Sequence, residues 1–176
     1  MKVPSLRTSR LLLRPFAGVD AGALHATLAE EGFLRYFPNP DPPPLDRVEK
    51  YLALQQKHWQ EHGFGRWAVE MQDRVGMIGW NGLQYLPDTD EIEIGYILAK
   101  PYWNQGFSTE AALAGLRYAF EELELEEIVA IVHPENLASQ RVTEKLGMRF
   151  TNEAVYFGMN AFRYVIDRGE FGEQAS

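Results

Sequence analysis

The chain has 176 residues, of which 45% are hydrophobic and 12% aromatic, enough apolar side chains for the core of one compact domain and too many for a disordered chain. It contains no cysteine, which excludes disulfides, zinc–thiolate sites and a cysteine nucleophile. Its formal charge of −8 disfavours binding to nucleic acid or to an anionic membrane, because both attract basic surfaces.

The N-terminal third of the chain is predicted to contain two helices. Asp20 is placed to cap a short helix. Asp46 and Glu49 have the spacing of a capping box for a longer helix, which Gly63 ends. The proline-rich segment 38–44 is predicted to be a stiff loop within one domain, since it leaves only about forty residues on its N-terminal side.

Four strands are predicted before residue 100. Apolar runs at 10–16, 66–71 and 75–83 predict three of them, and Gln72-Asp73-Arg74 predicts a hairpin between the last two. The fourth, 91–98, alternates between two faces. Ile92, Ile94, Tyr96 and Leu98 are predicted on one face, and Glu91, Glu93 and Gly95 on the other.

The middle of the chain predicts a βαβ unit. From Thr109 the apolar residues recur at helical spacing, and Ile128–Val132 is the continuous apolar run expected of a strand covered on both faces. Strands joined by such a helix are predicted to be parallel.

The C-terminal part predicts a short helix and a final hairpin. The helix ends at Gly147, and its buried face is predicted to carry three residues at helical spacing: Ala138, Val142 and Leu146. Strands are predicted at about 150–157 and 161–166, with Gly158-Met159-Asn160 as the turn. Strands at both ends of the chain around a central βαβ unit predict an α+β fold, with a mixed sheet and flanking helices over residues 1–176.

The connection between strand 91–98 and the helix from Thr109 is a candidate anion site. The first turn of a helix presents backbone N–H groups without intrahelical partners, and the helix dipole adds positive potential, which suits a phosphate or pyrophosphate. Gly106 would let such a ligand approach the backbone closely. In the alternative interpretation, Gly106 only makes the turn and Ser108 only caps the helix.

Several motifs then point to one family. The turn is Trp103-Asn104-Gln105-Gly106-Phe107-Ser108, and the later segment is Asn136-x-x-Ser139-x-x-x-x-Glu144-Lys145-Leu146-Gly147-Met148. Together these segments resemble the GNAT superfamily of N-acetyltransferases. The opening Thr8-x-Arg10-Leu11-x-Leu13-Arg14-Pro15-Phe16, with Glu93-Ile94-Gly95-Tyr96 and Thr109-Glu110-Ala111, resembles its RimJ/RimL-like branch.

This resemblance implies a GNAT-type sheet, mostly antiparallel with a central parallel βαβ unit, and acetyl-CoA as a cosubstrate. Backbone amides of the turn would hold the pyrophosphate, and the end of strand 91–98 would pair with the pantetheine arm beside Asn136. Trp103 and Ser108 depart from the usual residues of the acetyl-CoA loop, and an Asx turn is the alternative role of Asn136. The implied cofactor-binding residues are Ile97, Leu98, Trp103, Asn104, Gln105, Gly106, Phe107, Ser108, Thr109 and Asn136.

Glu93 is the candidate general base, because taking a proton from an ammonium acceptor needs a carboxylate whose pKa is raised by partial burial. Its alternative is a solvated carboxylate paired with Lys or Arg, and Glu91 is the second candidate base. Thr143 stands where many family members have a general-acid Tyr. Ser139 resembles the helix serine proposed as the acid in RimL-like members, and its alternative is a helix-surface hydroxyl. Direct transfer in a ternary complex is expected, because no nucleophile motif surrounds a serine.

The resemblance to the RimJ/RimL-like branch implies a protein N-terminal amine as acceptor. A small amine (amino acid, polyamine or antibiotic) and a non-catalytic acyl-CoA-binding sensor module are the alternatives. We expect a cytoplasmic monomer or homodimer. The charge of −8 predicts no nucleic-acid partner, and no membrane partner is expected, since no apolar run reaches the roughly 20 residues of a membrane helix. His58 and His62 are predicted to lie on a solvated helix surface, and no metal site is predicted.

Overall fold

The computed structural model describes residues 3–174. The strands are β1 (Leu6–Arg7), β2 (Leu11–Arg14), β3 (Arg66–Met71), β4 (Met77–Leu86), β5 (Glu91–Leu98), β6 (Glu127–Val132), β7 (Arg149–Tyr156) and β8 (Met159–Asp167). The helices are α1 (Asp20–Leu28), α2 (Leu45–His62), α3 (Phe107–Arg117), α4 (Leu137–Lys145) and α5 (Arg168–Gln174). A π-helical turn, Tyr118–Glu122, continues α3.

Within the described residues, the eight strands form one sheet in the order β1-β2-β3-β4-β5-β6-β8-β7. β5 and β6 are parallel neighbours, and the other neighbouring pairs of this sheet are antiparallel. The predicted α+β class, the mixed sheet and the parallel βαβ unit are therefore confirmed.

Helices cover both faces of the sheet. α3 packs on one face, where Leu116 and Ile94 belong to the larger hydrophobic cluster. α1 and the first half of α2 pack on the other face, where Leu24 and Val48 share a cluster with Ile97. The alternation predicted for 91–98 is confirmed, because Ile94 and Ile97 lie in the clusters of opposite faces.

Both helix caps predicted from carboxylates are wrong. Asp20 lies inside α1, where its buried carboxylate accepts hydrogen bonds from Arg14 at 2.7 and 2.8 Å. Pro44 stands at the N-cap of α2, and Asp46 forms an ion pair with Lys50 at 3.1 Å. The first helical residues are Asp20 itself in α1 and Leu45 in α2, so neither carboxylate stands at an N-cap position.

The C-terminal hairpin turns one residue earlier than predicted. Phe157 and Gly158 join β7 to β8 with left-handed φ angles of 54° and 78°, the backbone of a two-residue hairpin turn. Met159 and Asn160 therefore belong to β8. In α4, Ala138 is exposed instead of buried.

Several strand bounds differ from the sequence prediction: β2 spans Leu11–Arg14 instead of 10–16, β6 begins at Glu127 instead of Ile128, and β4 ends at Leu86 instead of 83. β4 begins at Met77 instead of residue 75. β1 and α5 were not predicted, because two residues in a strand and seven in a helix are too short for a clear periodicity. Among residues 3–174, no helix is both long enough and apolar enough to cross a membrane.

Candidate active site

The two central strands of the sheet, β5 and β6, meet at one point. Their parallel ladder contains a single registered pair, Glu93 with Val129, although β5 continues to Leu98 and β6 to Val132. In the part of the chain that the structure describes, no strand pairs with the β6-facing edge of β5 beyond Glu93. The sheet therefore has an opening between these strands, and the loops leading to α3 and α4 begin beside it.

Glu93 lies where the opening starts and is 8% exposed. Burial raises the pKa of Glu93 to about 7, and both the Arg66 charge and the backbone N–H of Ile131 act in the opposite direction. This burial excludes the solvated surface position that was the alternative for Glu93. A carboxyl group with a pKa near 7 can accept and return a proton at neutral pH.

A guanidinium lies on the same sheet face as Glu93. Arg66 of β3 stacks over the Trp80 ring, 4.1 Å from its centroid, and donates hydrogen bonds to the Tyr51 hydroxyl at 2.8 Å and to Gln84 Oε1. Gln84 is the register partner of Glu93 on β4. The Arg66 charge therefore favours the ionised form of Glu93, but burial outweighs it.

Glu91, the second candidate base, is engaged in the structure. Its carboxylate accepts hydrogen bonds from Arg163 Nε at 2.7 Å and from the Tyr156 hydroxyl at 2.8 Å. Burial alone would raise the pKa of Glu91, but hydrogen bonds from Thr89, Arg163 and Tyr156 outweigh it and lower the pKa. Glu91 therefore holds the β7–β8 hairpin against β5 as a carboxylate.

The turn before α3 has the backbone of an anion site. Asn104 and Gly106 have left-handed φ angles of 59° and 81°, and Gly106 occupies the N-cap position of α3. Of the described residues, none caps this helix with a side chain, and Ser108 lies within its first turn. The alternative interpretation, in which Ser108 caps α3, is therefore wrong, and the first N–H groups of α3 have no side-chain acceptor.

The N-terminal segment holds this turn in place. The Glu110 carboxylate accepts hydrogen bonds from Thr8 Oγ1 at 2.6 Å and from the backbone N–H and Nε of Arg10 at 2.9 and 2.6 Å. Arg10 Nη1 donates to the Gln105 carbonyl at 3.0 Å, and its guanidinium lies 4.3 Å above the Phe107 ring. These contacts fix the turn against the N-terminal segment, and a fixed turn would lose less conformational freedom on binding a ligand.

The start of α4 faces the other side of the opening. Asn136 caps this helix, since its side-chain oxygen accepts a hydrogen bond from the Ser139 N–H at 3.1 Å. The Ser139 hydroxyl is 2.9 Å from the hydroxyl of Tyr96 on β5. Thr143 is fully buried and donates to the Gln140 carbonyl at 2.7 Å, so it cannot replace the missing tyrosine.

The connection between α1 and α2 packs against both loops. Phe33 contacts Trp103, with ring centroids 6.0 Å apart, and Tyr36 stacks on His133 at 5.1 Å. The Trp103 indole N–H donates to the Leu98 carbonyl at 2.6 Å, so the turn before α3 is bonded to the end of β5. Ile97 and Leu98 both have buried side chains.

The solvated position predicted for His58 is wrong. Its Nδ1 contacts the Phe64 carbonyl at 2.9 Å, and its Nε2 accepts from the backbone N–H of Tyr85 at 3.3 Å. Burial lowers the pKa of His58 and favours this neutral form. His62 is exposed and packs on His58, with ring centroids 4.5 Å apart.

Sequence reasoning missed the roles of four residues near the site: Arg10, Arg66, Tyr96 and Glu110. Arg10 and Glu110 stand in quoted motifs, but nothing local indicates that they pair across 100 residues. Tyr96 also stands in a quoted motif and on the apolar face of its strand, but no contact was predicted for its hydroxyl. Its contact with Ser139 spans 43 residues and depends on the packing of α4 beside β5.

Comparisons with known proteins point to one family. Residues 10–149 match the model of a family described as acetyltransferase (GNAT) domain. The uncharacterized N-acetyltransferase YoaA of Bacillus subtilis (strain 168) is 31% identical over 150 residues, which cover 83% of each chain.

Solved structures share the fold. A crystal structure of an acetyltransferase from Agrobacterium tumefaciens str. C58 matches with a TM-score of 0.83 and 28% identity, covering 94% of this chain and 95% of that one. RimL, a ribosomal L7/L12 alpha-N-protein acetyltransferase in complex with coenzyme A, matches with a TM-score of 0.78. Its identity is 17%, with coverage of 93% of this chain and 98% of that one, so this likeness concerns the fold.

Proposed function

Because this chain belongs to the GNAT acetyltransferase family and is an acetyl-CoA-dependent N-acetyltransferase, we propose that it acetylates protein N-terminal amines by direct transfer. The observation that carries the mechanism is the buried carboxyl group of Glu93 at the point where β5 and β6 separate.

The turn before α3 fits the pyrophosphate of acetyl-CoA. Its left-handed residues and uncapped helix start leave backbone N–H groups for the phosphate oxygens, and Gly106 has no side chain to block them. The proposed contacts are the residues from Trp103 to Thr109, with the edge of β5 at Ile97 and Leu98 beside the pantetheine arm. Asn136 lies across the opening and is proposed to contact the same arm.

Acetyl-CoA supplies an acetyl group activated as a thioester, and the protein holds the acceptor amine beside it. Glu93 first accepts a proton from the ammonium acceptor, directly or through water, and the lone pair that this frees forms a C–N bond at the acetyl carbon. The nitrogen then loses its second proton to solvent. The C–S bond breaks, and its electron pair leaves with the sulfur. Ser139 donates a hydrogen bond to this developing thiolate, which then takes a proton from solvent.

The acceptor class follows from two considerations. The motifs of the chain resemble the RimJ/RimL-like branch, and one structural neighbour, RimL, is a ribosomal L7/L12 alpha-N-protein acetyltransferase. The connection between α1 and α2 lies over the loops at the opening, so an extended N-terminal peptide has side chains such as Tyr36 to pack against.

A panel of amines tests this proposal. It pairs peptides bearing a free α-amine with the same peptides blocked at the N-terminus but containing lysine, and adds amino acids, spermidine and an aminoglycoside. Thiol release measures turnover, and mass spectrometry locates the acetyl group. We expect acetylation of α-amines in the free peptides only.

Two outcomes would contradict it. Transfer to small amines but to no peptide would assign a small-molecule acceptor. Binding of acetyl-CoA without thiol release for any amine would assign a non-catalytic binding module.

A further inference from the structure

Tyr96 spans the opening between β5 and β6. It follows Glu93, the residue of β5 that pairs with β6, and its hydroxyl meets the first turn of α4, the helix after β6. That hydroxyl is 2.9 Å from Ser139 Oγ and 3.2 Å from the Ser139 carbonyl oxygen. The contact therefore ties the two walls of the opening together at Ser139.

The two hydroxyl groups can be oriented in two ways. Tyr96 can donate to Ser139 Oγ, which leaves the Ser139 hydrogen free, or Ser139 can donate to Tyr96, which then donates to the Ser139 carbonyl. A phenol is the more acidic hydroxyl and therefore the better donor, which favours the first arrangement. Burial also raises the pKa of Tyr96, more than the bond to Ser139 lowers it, so the phenol keeps its proton.

We propose that Tyr96 is a positioning residue for the leaving group and acts through Ser139, an inference that rests on the proposed function. By donating to Ser139 Oγ, it leaves the Ser139 O–H directed at the sulfur while the C–S bond breaks and its electron pair moves to sulfur. Tyr96 of β5 thus supports departure of the thiolate. At the α4 position where many family members have a general-acid Tyr for this step, the chain has the buried Thr143.

Coenzyme A is the probe for a first test, because its thiol is the leaving group and no acceptor is needed. The difference absorbance of the thiolate is followed with pH for coenzyme A bound to the wild type, Tyr96→Phe and Ser139→Ala. We expect the acid dissociation constant of the bound thiol to fall by about three- to tenfold in both variants, the effect of losing one hydrogen bond.

Tyr85→Phe is the matched control. It removes the same phenolic hydroxyl from the neighbouring strand β4, where, within residues 3–174, that hydroxyl donates to the exposed Asp90 alone, at 2.8 Å. The bound thiol should ionise in this variant as it does in the wild type.

Kinetics provide the second test. Tyr96→Phe should lower kcat by about three- to tenfold while the KM for acetyl-CoA changes by less than about twofold. The double variant Tyr96→Phe/Ser139→Ala should be no slower than Ser139→Ala, because Tyr96 acts through Ser139 and the two losses are not additive.

Equal ionisation of bound coenzyme A in the wild type, Tyr96→Phe and Ser139→Ala overturns the inference, and so does an additive loss of kcat in the double variant. Ser139→Ala leaves β5 untouched and tests the same pair if Tyr96→Phe does not fold. Failure of the proposed function is a different result: the wild type then acetylates no amine, while bound coenzyme A still titrates.

Discussion

Glu91 and Glu93 share one face of β5, and their neighbours give them different chemistry. Arg163 and Tyr156 from the final hairpin bind Glu91 and hold it as a carboxylate. Glu93 is covered by its surroundings, and its pKa of about 7 suits a base at neutral pH. The alternation in the sequence placed both carboxylates on the correct face. Only their tertiary partners distinguish Glu91, which has a structural role, from Glu93, the candidate base.

Replacing Glu93 with Gln keeps the shape of the side chain and removes the base. We expect kcat/KM at neutral pH to fall by about 10²- to 10⁴-fold, with acetyl-CoA affinity changed by less than about twofold. In the wild type, kcat/KM should rise with pH as Glu93 loses its proton near pH 7, and Glu93→Gln should keep only the rise caused by the acceptor α-amine itself, at about pH 8. Thiol-release rates over a pH series measure both effects.

Glu91→Gln distinguishes the two carboxylates. It breaks the ion pair with Arg163 and should lower stability, but the rise of kcat/KM near pH 7 should remain. If Glu93→Gln has the wild-type rate at every pH and Glu91→Gln does not, the base has been assigned to the wrong residue.

The same carboxyl group gives a prediction about folding. The pKa of Glu93 is raised from 4.5 to about 7, so its contribution to stability is fully present below pH 4.5 and is lost as the pH rises through 7. Relative to the wild type, Glu93→Gln should therefore gain about 3 kcal/mol in free energy of unfolding between pH 4 and pH 8. Urea unfolding measures the difference, and a gap that does not change with pH would show that Glu93 keeps its ordinary pKa.

At the scale of elements, the start of α3 depends on two distant segments of the chain. The turn supplies the left-handed residues Asn104 and Gly106, and the N-terminal segment supplies Arg10, which bridges Gln105 and Glu110. The importance of Gly106 was predicted from the sequence, because a ligand can approach the backbone closely where no side chain stands in between. The bridge made by Arg10 was not predicted, since Arg10 and Glu110 are 100 residues apart in the chain.

Gly106→Ala and Gly158→Ala form a matched pair for the anion site. Both glycines have left-handed φ angles, 81° and 78°, so alanine should destabilise either one by about 1 kcal/mol. Only Gly106→Ala places a methyl group where phosphate oxygens would approach, so only this variant should bind acetyl-CoA more weakly. In the wild type, ligand at 100 times its Kd should add about 2.7 kcal/mol of stability. Equal affinities in thermal-shift titrations of the two variants would remove the turn from the cofactor site.

For the whole molecule, three connections converge on the opening between β5 and β6. The turn before α3 and the loop before α4 flank it, and the connection between α1 and α2 packs on both through Trp103 and His133. In the proposed function, acetyl-CoA and the acceptor bind together at this opening, and such a complex needs no acetylated enzyme.

Direct transfer predicts the form of the kinetics. The chain has no cysteine, and the hydroxyl of Ser139 is paired with a phenol instead of a general base. Initial-rate lines at several fixed acceptor concentrations should intersect, because both substrates are bound when the acetyl group moves. Parallel lines, with an enzyme heavier by about 42 Da that acetylates the amine when isolated, would establish a covalent route instead.

The sequence by itself determined the elements with strong periodicity and the order in which they occur. The bounds of β3 and β5 match the predicted ranges, and Gly63 ends α2 in the left-handed conformation (φ 76°) expected of it. These features succeed because alternation, helical spacing and glycine chemistry are local properties. The resemblance to one family also followed from sequence, since it rests on motifs in a fixed order.

Only the tertiary structure decided which side chains meet. The cap assigned to Asp20 failed because α1 begins at Asp20 itself, whose carboxylate binds Arg14, and Arg14 also bonds Glu70 of β3. The pairing of Tyr96 with Ser139, and the high pKa of Glu93, exist only once distant segments pack and exclude water. Hydrogen-bond partners and desolvation depend on the folded surroundings of a group, so they cannot be predicted from a pattern along the chain.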